Sequence, residues 1–258
     1  MIKIKRYGYR PSLKDPRNYK FLRDSNVVIP ESVDLRSKMP LPPFDQGNLG
    51  SCAENALVGA LVFDQVRQLL PVEMMSRLYV YYFTRLLQGD TSQDTGSDPV
   101  TMFKAYNGYG VCPEYAWPYD VNSFAYRPGV KKVQKGKAHA KIVYSEVPQT
   151  SDDLLGALAQ GQPVIYGFSV QESFESNQVA QTGLYYPAAS EAVIGGHAVL
   201  ALGYSQSMIF PNGQKGGILT RNSWGATGWG IAGHFWIPIE DVLDPNITSD
   251  LWVLKQVS

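Results

Sequence analysis

Between Ser51 and Leu70 the chain carries apolar residues around nearly the whole circumference of a helix. Ala56 and Ala60, Val58, Val62 and Val66, and Leu57 and Leu61 recur four residues apart, each pair on a different face. A helix that is apolar on most faces must be covered on most faces, so this one has to run through an interior until Pro71 stops it. The preceding Leu41-Pro42-Pro43-Phe44-Asp45-Gln46-Gly47-Asn48-Leu49-Gly50 holds two prolines and two glycines and cannot be helical. An irregular loop therefore delivers Cys52 into the first turn of a buried helix.

The rest of the chain supplies the cover. Ser76–Leu87 and Pro99–Tyr109 read as further helices, separated by a loop holding Thr95-Gly96-Ser97-Asp98. Another helix is expected over Ser151–Ala159, with Ser151 as its cap, acids in the first turn and Gly161 as its stop. From Lys141 the pattern shifts toward strands: 162–170, 197–204, 216–222 and 234–239 are rich in β-branched and aromatic residues, and Pro211-Asn212-Gly213 turns the second toward the third. The expected class is α+β, with a helical lobe over about 29–130, an antiparallel β lobe over about 131–258 and a cleft between them. Residues 1–28 are basic and turn-rich and read as an arm rather than a domain.

Composition narrows the function. With 23 Lys+Arg against 23 Asp+Glu the formal charge is zero, which gives no electrostatic case for nucleic acid. At 44% apolar and 12% aromatic residues the chain can build a large core. No run approaches the roughly 18 apolar residues of a membrane span, and no secretion signal is read at Met1–Tyr7. No membrane partner is expected, and the location is left as cytoplasmic or exported by a signal-less route. Two cysteines, Cys52 and Cys112, permit one disulfide at most, and a reducing compartment is the simpler reading.

A cysteine in a helix's first turn has its thiolate favoured by the dipole and by unsatisfied N–H groups, as a nucleophile requires. A second Gly-bracketed polar residue, in Gly195-Gly196-His197-Ala198-Val199, opens an apolar strand, and a third, in Arg221-Asn222-Ser223-Trp224-Gly225, ends the next one. Adjacent strands would bring His197 and Asn222 together.

Gln46-Gly47-Asn48-Leu49-Gly50-Ser51-Cys52, Gly196-His197-Ala198-Val199, and Asn222-Ser223-Trp224-Gly225 with Gly228-Trp229-Gly230 together resemble the papain/cathepsin-type cysteine peptidases, in that family's order. The resemblance starts at Ile29-Pro30-Glu31-Ser32-Val33-Asp34-Leu35-Arg36, which is similar to the start of a mature enzyme, and runs to the C-terminus. It implies a papain-like two-lobe fold and peptide-bond hydrolysis through an acyl-enzyme. Cys52 would attack as a thiolate paired with His197 as imidazolium, Asn222 would hold the ring through its side-chain oxygen, and Gln46 would donate to the oxyanion. Trp224 would cover the His–Asn bond and line the leaving-group side. Gly96 and Ser97 would offer backbone groups to an extended substrate, while Gly195 and Gly196 would border a roomy pocket two residues upstream of the cleaved bond. The same acyl chemistry could instead serve deamidation, isopeptide cleavage or transpeptidation, and a catalytically idle binding scaffold is the reading from a different class.

The sequence departs from better-known family members. Leu49 replaces a disulfide-forming Cys, Ala53 replaces the usual Trp or Tyr, and a 28-residue arm stands where a longer inhibitory pro-region is common. Tyr7, Tyr9, Tyr19 and Phe21 give the arm too many aromatics for a free tail, so part of it is expected to pack on the body, more readily as a strap over the outside of the β lobe than as a plug in the cleft. Cys52 is expected to react with thiol reagents in the native protein and Cys112 only after denaturation.

Other signals carry less. Gly228-Trp229-Gly230-Ile231-Ala232-Gly233 matches a dinucleotide-binding pattern, but the next residues read as strand, not helix. The three His and two Cys lack metal-ligand spacing, so no metal and no other cofactor is implied; His139 reads as exposed and His234 as structural. Arg127, Lys131, Lys132, Lys135, Lys137 and Lys141 read as a solvated basic face, Asn246-Ile247-Thr248 as an unused glycosylation sequon, and Cys112 as a buried thiol. The expected partner is a peptide or protein substrate, and the expected state a monomer.

Overall fold

The computed structural model describes residues 6–137, 141–188 and 190–257, with side chains omitted at 135–137. A short β1 (Ser32–Asp34) precedes α1 (Cys52–Arg67), α2 (Arg77–Leu87), α3 (Pro99–Tyr109) and α4 (Val130–Lys137). There follow β2 (Lys141–Glu146), α5 (Ser151–Ala159), β3 (Val164–Gln171) and α6 (Asn177–Thr182), then β4 (Val193–Ile209) and β5 (Lys215–Arg221). The last elements are β6 (His234–Pro238), α7 (Ile239–Leu243) and β7 (Thr248–Val257).

Local chemistry explains the helix boundaries. Ser76 caps α2 by accepting from the Tyr79 N–H, and Asp98 caps α3 by accepting from Thr101, with Pro99 at the first helical position. The cap of α5 is Thr150, not Ser151: the Thr150 hydroxyl accepts from Asp153 N, and Ser151 is already inside the helix. Helix α1 is buried from Cys52 through Gln65, as its all-round apolar pattern requires. Its buried Asp64 accepts at 2.7 Å from the main-chain N–H of Gln256, which fastens the far end of the helix to β7.

Among the described residues the strands form one sheet in the order β2-β7-β3-β4-β5-β6, with β1 added against β4; every pairing is antiparallel. The C-terminal strand β7, which the periodicity reading did not pick out, lies inside the sheet between β2 and β3. β1, although early in the chain, joins the sheet by pairing with Ser205, Tyr204 and Gly203 of β4. The β4–β5 turn at 211–213 forms as the sequence suggests, with Phe210 and Gln214 bonded across it. The main apolar core runs from α1 to the sheet and includes Tyr166, Phe168, Val199, Leu200 and Trp252, with a smaller cluster around Leu49, Leu78 and Tyr81. The fold thus points the N-terminal end of α1 at β4 and the end of β5.

The Gly-rich 228–233 segment is a turn leading into β6, as expected. His234 is buried with its Nδ1 on Ala232 O at 2.9 Å, a structural position. On the basic face Arg127 and Lys131 are exposed, but Lys132 stacks 4.2 Å from the Trp117 ring. The side chains of Lys135 and Lys137, and His139 altogether, lie outside the described residues. Cys52 and Cys112 are both buried and form no disulfide. Among the described residues no three His, Cys, Asp or Glu gather as a metal site, and no helix is long and apolar enough to cross a membrane.

Candidate active site

The loop before α1 places Cys52 in the first helical turn with its Sγ 3.4 Å from the main-chain N–H of Ala198 on β4. One residue earlier on that strand, His197 points its Nε2 at Asn222 Oδ1, 2.8 Å away just beyond β5. The same Oδ1 accepts from the Ser223 main-chain N–H at 2.7 Å, which fixes it as the oxygen and so gives His197 Nε2 the proton. Nδ1 is then the basic nitrogen, and it has no hydrogen-bond partner. Trp224 lies 5.6 Å from the imidazole centroid, tilted by 34°, and with Phe168 and Phe174 it encloses the ring in aromatic surface. Adjacent strands do bring His197 and Asn222 together, as their positions in the sequence imply.

Gln46 is fully buried. Its Oε1 accepts from Ser223 Oγ at 2.5 Å, which orients the amide so that Nε2 faces the cleft and the Leu49 carbonyl at 2.8 Å. The remaining Nε2 donor is taken by the main-chain carbonyl of Arg6, at 2.9 Å. The donor expected to meet a reacting acyl oxygen is thus engaged by a peptide oxygen of the chain's own arm.

This corrects the preference for an external strap: residues 6–10 run through the cleft. Gly8 O accepts from Ser97 N at 2.7 Å, Arg10 N donates to Ser97 O at 3.0 Å and Tyr9 N donates to Gly196 O at 2.9 Å. Ser97 and Gly196 are thereby the two rims on which an extended segment is held. Gly8 passes so close to the loop that a Cβ on it would lie 1.9 Å from Gly50 O. Tyr7 donates to Glu175 Oε1 at 2.7 Å and packs edge-on to His197 at 5.7 Å, over Gly195. Arg6 pairs with Asp94 at 2.9 Å. These contacts, with Tyr9 only 7% exposed, offset the cost of ordering a segment that doubles back over the body. Further along, Phe21 is buried and its N–H bonds to Glu146 O, so the arm also straps the β lobe.

Burial governs the electrostatics of the pair. Burial pushes the Cys52 thiol up to about 11, against the pull of the Ala198 and Gly8 N–H groups, and burial also holds His197 down to about 4, against the Asn222 bond. With the arm seated, the neutral thiol and neutral imidazole are favoured. The expected thiolate–imidazolium pair is not the form that burial favours at these two side chains.

Several residues of this site escaped the sequence reading. Asp94, Glu175, Ser223, Ser249 and Asp250 all contact the arm or orient Gln46. Glu54, two residues into α1, is also buried; it accepts from Ser97 Oγ at 3.1 Å and is pushed up to about 7 by burial. An acid in the first turn of a helix buried on most faces was the available signal for Glu54.

The model of the papain family cysteine proteases matches residues 29–250. An uncharacterized peptidase C1-like protein of Acanthamoeba polyphaga mimivirus is 33% identical, the match covering 98% of this chain and 87% of that protein. Cathepsin K of Gallus gallus is 30% identical over 85% of this chain, which spans 62% of that relative's length; for a cathepsin L-like peptidase of Aedes aegypti the values are 29%, 83% and 60%. Xylellain, a cysteine protease from Xylella fastidiosa, superposes with a TM-score of 0.87 at 31% identity, covering all of both chains. A digestive procathepsin L 3 of Tenebrio molitor shares the fold, with a TM-score of 0.69 at 22% identity over 94% of this chain and 75% of its own. The chain belongs to the papain family of cysteine proteases.

Proposed function

We propose that this papain-family protease is a latent peptide hydrolase, in which Cys52, His197, Asn222 and Gln46 carry the chemistry and residues 6–10 keep it closed. The observation that carries the reading is an extended polypeptide lying across all of these groups at once, its Arg6 carbonyl on the Gln46 donor and its main chain on both rims. When the arm leaves, a substrate peptide takes the same rims. His197 Nδ1 accepts the Cys52 proton, the thiolate adds to the scissile carbonyl, and the charge on oxygen is met by Gln46 Nε2 and the Cys52 main-chain N–H. The imidazolium then protonates the leaving amine, and water, deprotonated by His197, releases the acid from the thioester.

Direction explains why the arm survives in the cleft. Tyr9 pairs with Ser97 in parallel, and the arm runs from Tyr7, beside Trp224, to Tyr9, beside Ser97 and Gly196. A substrate with its acyl side on Ser97 and its leaving side at Trp224 runs the opposite way, so the seated arm offers no amine where His197 would protonate one.

The test uses the full chain with Gly8→Val, whose side chain meets the Gly50 backbone and excludes the arm. Incubated with a peptide library, this variant is expected to yield cleaved products by mass spectrometry, and its Cys52→Ala partner none. Products shifted only by amide-to-acid conversion, or peptides joined to one another, would assign the same acyl chemistry to deamidation or transpeptidation instead.

A further inference from the structure

Gln46 has to meet the charge on a reacting acyl oxygen together with the Cys52 main-chain N–H, and two such donors are useful only at a fixed spacing. The chain between them does not fix it. The Cys52 N–H belongs to α1, whereas Gln46 stands six residues earlier on an irregular loop that turns at Gly47 with φ +60°. From the β-lobe side Gln46 is held by Ser223, whose carbonyl accepts from Gln46 N at 2.8 Å and whose hydroxyl donates to Oε1 at 2.5 Å. The tie to the nucleophile helix is a side chain with no part in the bond-breaking chemistry, Tyr119.

The Tyr119 hydroxyl donates to the Gln46 main-chain carbonyl at 2.9 Å. With its proton committed there, it accepts from Ser51 Oγ, 2.5 Å away. Ser51 Oγ accepts in turn from Asn55 Nδ2 at 3.2 Å, and Asn55 Oδ1 accepts from Arg77 Nη1 at 2.9 Å. Every proton in this chain points the same way, from α2 through the start of α1 to the Gln46 carbonyl. Bonds aligned in this manner polarise and strengthen one another. The Tyr119 ring is itself clamped: the Arg77 guanidinium lies 4.1 Å from its centroid, and Glu114 Oε1 accepts from Tyr119 N at 3.1 Å and from Arg77 Nη2 at 2.9 Å. Burial raises the phenol above its ordinary value, so it stays a protonated donor at neutral pH.

We propose that Tyr119 is a positioning residue for the oxyanion site: it locks the Gln46 backbone to Ser51, and so sets the distance between the Gln46 amide and the Cys52 N–H. This rests on the peptide-cleaving reading above. Without the hydroxyl the Gln46 carbonyl loses its donor, and the loop is free to carry Nε2 away from the oxyanion.

Acylation and alkylation separate this role from a general loosening of the site. An activated ester is attacked at its carbonyl and needs the oxyanion donors, whereas iodoacetamide is attacked at a saturated carbon and does not. In the full chain carrying Gly8→Val, Tyr119→Phe keeps the ring and its stacking with Arg77. It is expected to slow acylation by a nitrophenyl ester, followed as phenolate release and as the mass shift at Cys52, by about tenfold. kcat for peptide cleavage should fall by the same factor with KM unchanged, while iodoacetamide alkylation of Cys52 keeps its rate. Ser51→Ala, which removes the hydroxyl at the other end of the bridge, should show a smaller loss of the same kind. Neither change should slow acylation further once Gln46→Ala is present. An acylation rate unchanged in Tyr119→Phe, an equal loss of alkylation, or a loss that persists beside Gln46→Ala would overturn the proposal. Acylation that responds to Tyr119→Phe with no cleavage of any peptide would reject the hydrolase reading while supporting the positioning role. An ester that fails to acylate the Gly8→Val chain would overturn both. Should Tyr119→Phe melt at the assay temperature, the ratio of acylation to alkylation in Ser51→Ala decides alone.

Discussion

The two halves of the N-terminal arm are built on different principles. Residues 6–12 are held by main-chain bonds to both rims of the cleft, with Gly8 and Tyr9 buried. Residues 13–28 are largely exposed, Leu13 at 91%, Tyr19 at 76% and Leu22 at 84%, and run beside an open groove of about 380 Å³ that Leu13, Lys14, Asn18 and Glu146 help to line. Their hold on the body comes from buried Phe21, from main-chain bonds of Tyr19 O and Phe21 N with Glu146, and from the Lys20–Glu146 pair at 2.5 Å, both of whose side chains are substantially exposed. An exposed ion pair of this kind adds little, so Phe21 and the two main-chain bonds to Glu146 are the fasteners. The inner half behaves as a plug and the outer half as a tether that keeps the plug close.

Gln46 tests the inner half most strongly, because it serves the closed and the open states in different ways. Gln46→Ala in the Gly8→Val chain is expected to lower kcat by about 10²–10³-fold with little change in KM, since an oxyanion donor acts mainly in the transition state. In the otherwise native chain the same change removes the donor to Arg6 O and should speed Cys52 alkylation. A loss carried wholly by KM would assign Gln46 to ground-state binding.

For the outer half, Phe21→Ala should cost about 3 kcal/mol of packing, read as a lowered unfolding temperature. Losing a tether lowers only the local concentration of the plug, so Cys52 alkylation should change by less than about tenfold. A larger rise would mean that the plug has little affinity of its own and that the two halves act as one.

The third test lies beneath the plug, at Glu54, whose folded-state value is about 7 against 4.5 for the ordinary carboxyl. Between those two values the folded protein holds a proton that the unfolded chain has lost, so this group's contribution to stability falls as pH rises through that window. Below it the contribution is fully present. Glu54→Gln should remove that slope, amounting to roughly 3 kcal/mol in the difference between pH 4.5 and 8 as measured by denaturant unfolding. Identical pH dependence in both proteins would mean that Glu54 is ionised in the fold, and that its bond to Ser97 is charge-assisted.

What was legible in the sequence follows the same division between main-chain geometry and tertiary placement. Helix α1, the Cys52 turn, and the His197 and Asn222 strand ends could be read because each is announced locally, by apolar periodicity or by glycines around a polar residue. The geometry places these residues together as expected. β7 could not be read, because Thr248-Ser249-Asp250-Leu251-Trp252-Val253-Leu254 puts a polar group and then an apolar run into one strand. Its identity as a central strand comes from its neighbours β2 and β3. Asp250 was hidden for the same reason. The arm's seat in the cleft was not legible because the bonds that hold it come from Ser97 and Gly196, far away in the chain.

The central claim is that the inner half of the arm keeps Cys52 closed and un-ionised. It is tested most directly by following iodoacetamide alkylation of Cys52 at neutral pH in the native chain and in Gly8→Val, with buried Cys112 as internal reference. The account predicts that neither cysteine labels appreciably in the native protein, and that Gly8→Val accelerates labelling of Cys52 alone by about 10²-fold or more, as the thiol regains water and a protonatable partner in His197. Native Cys52 labelling as fast as in Gly8→Val would contradict it.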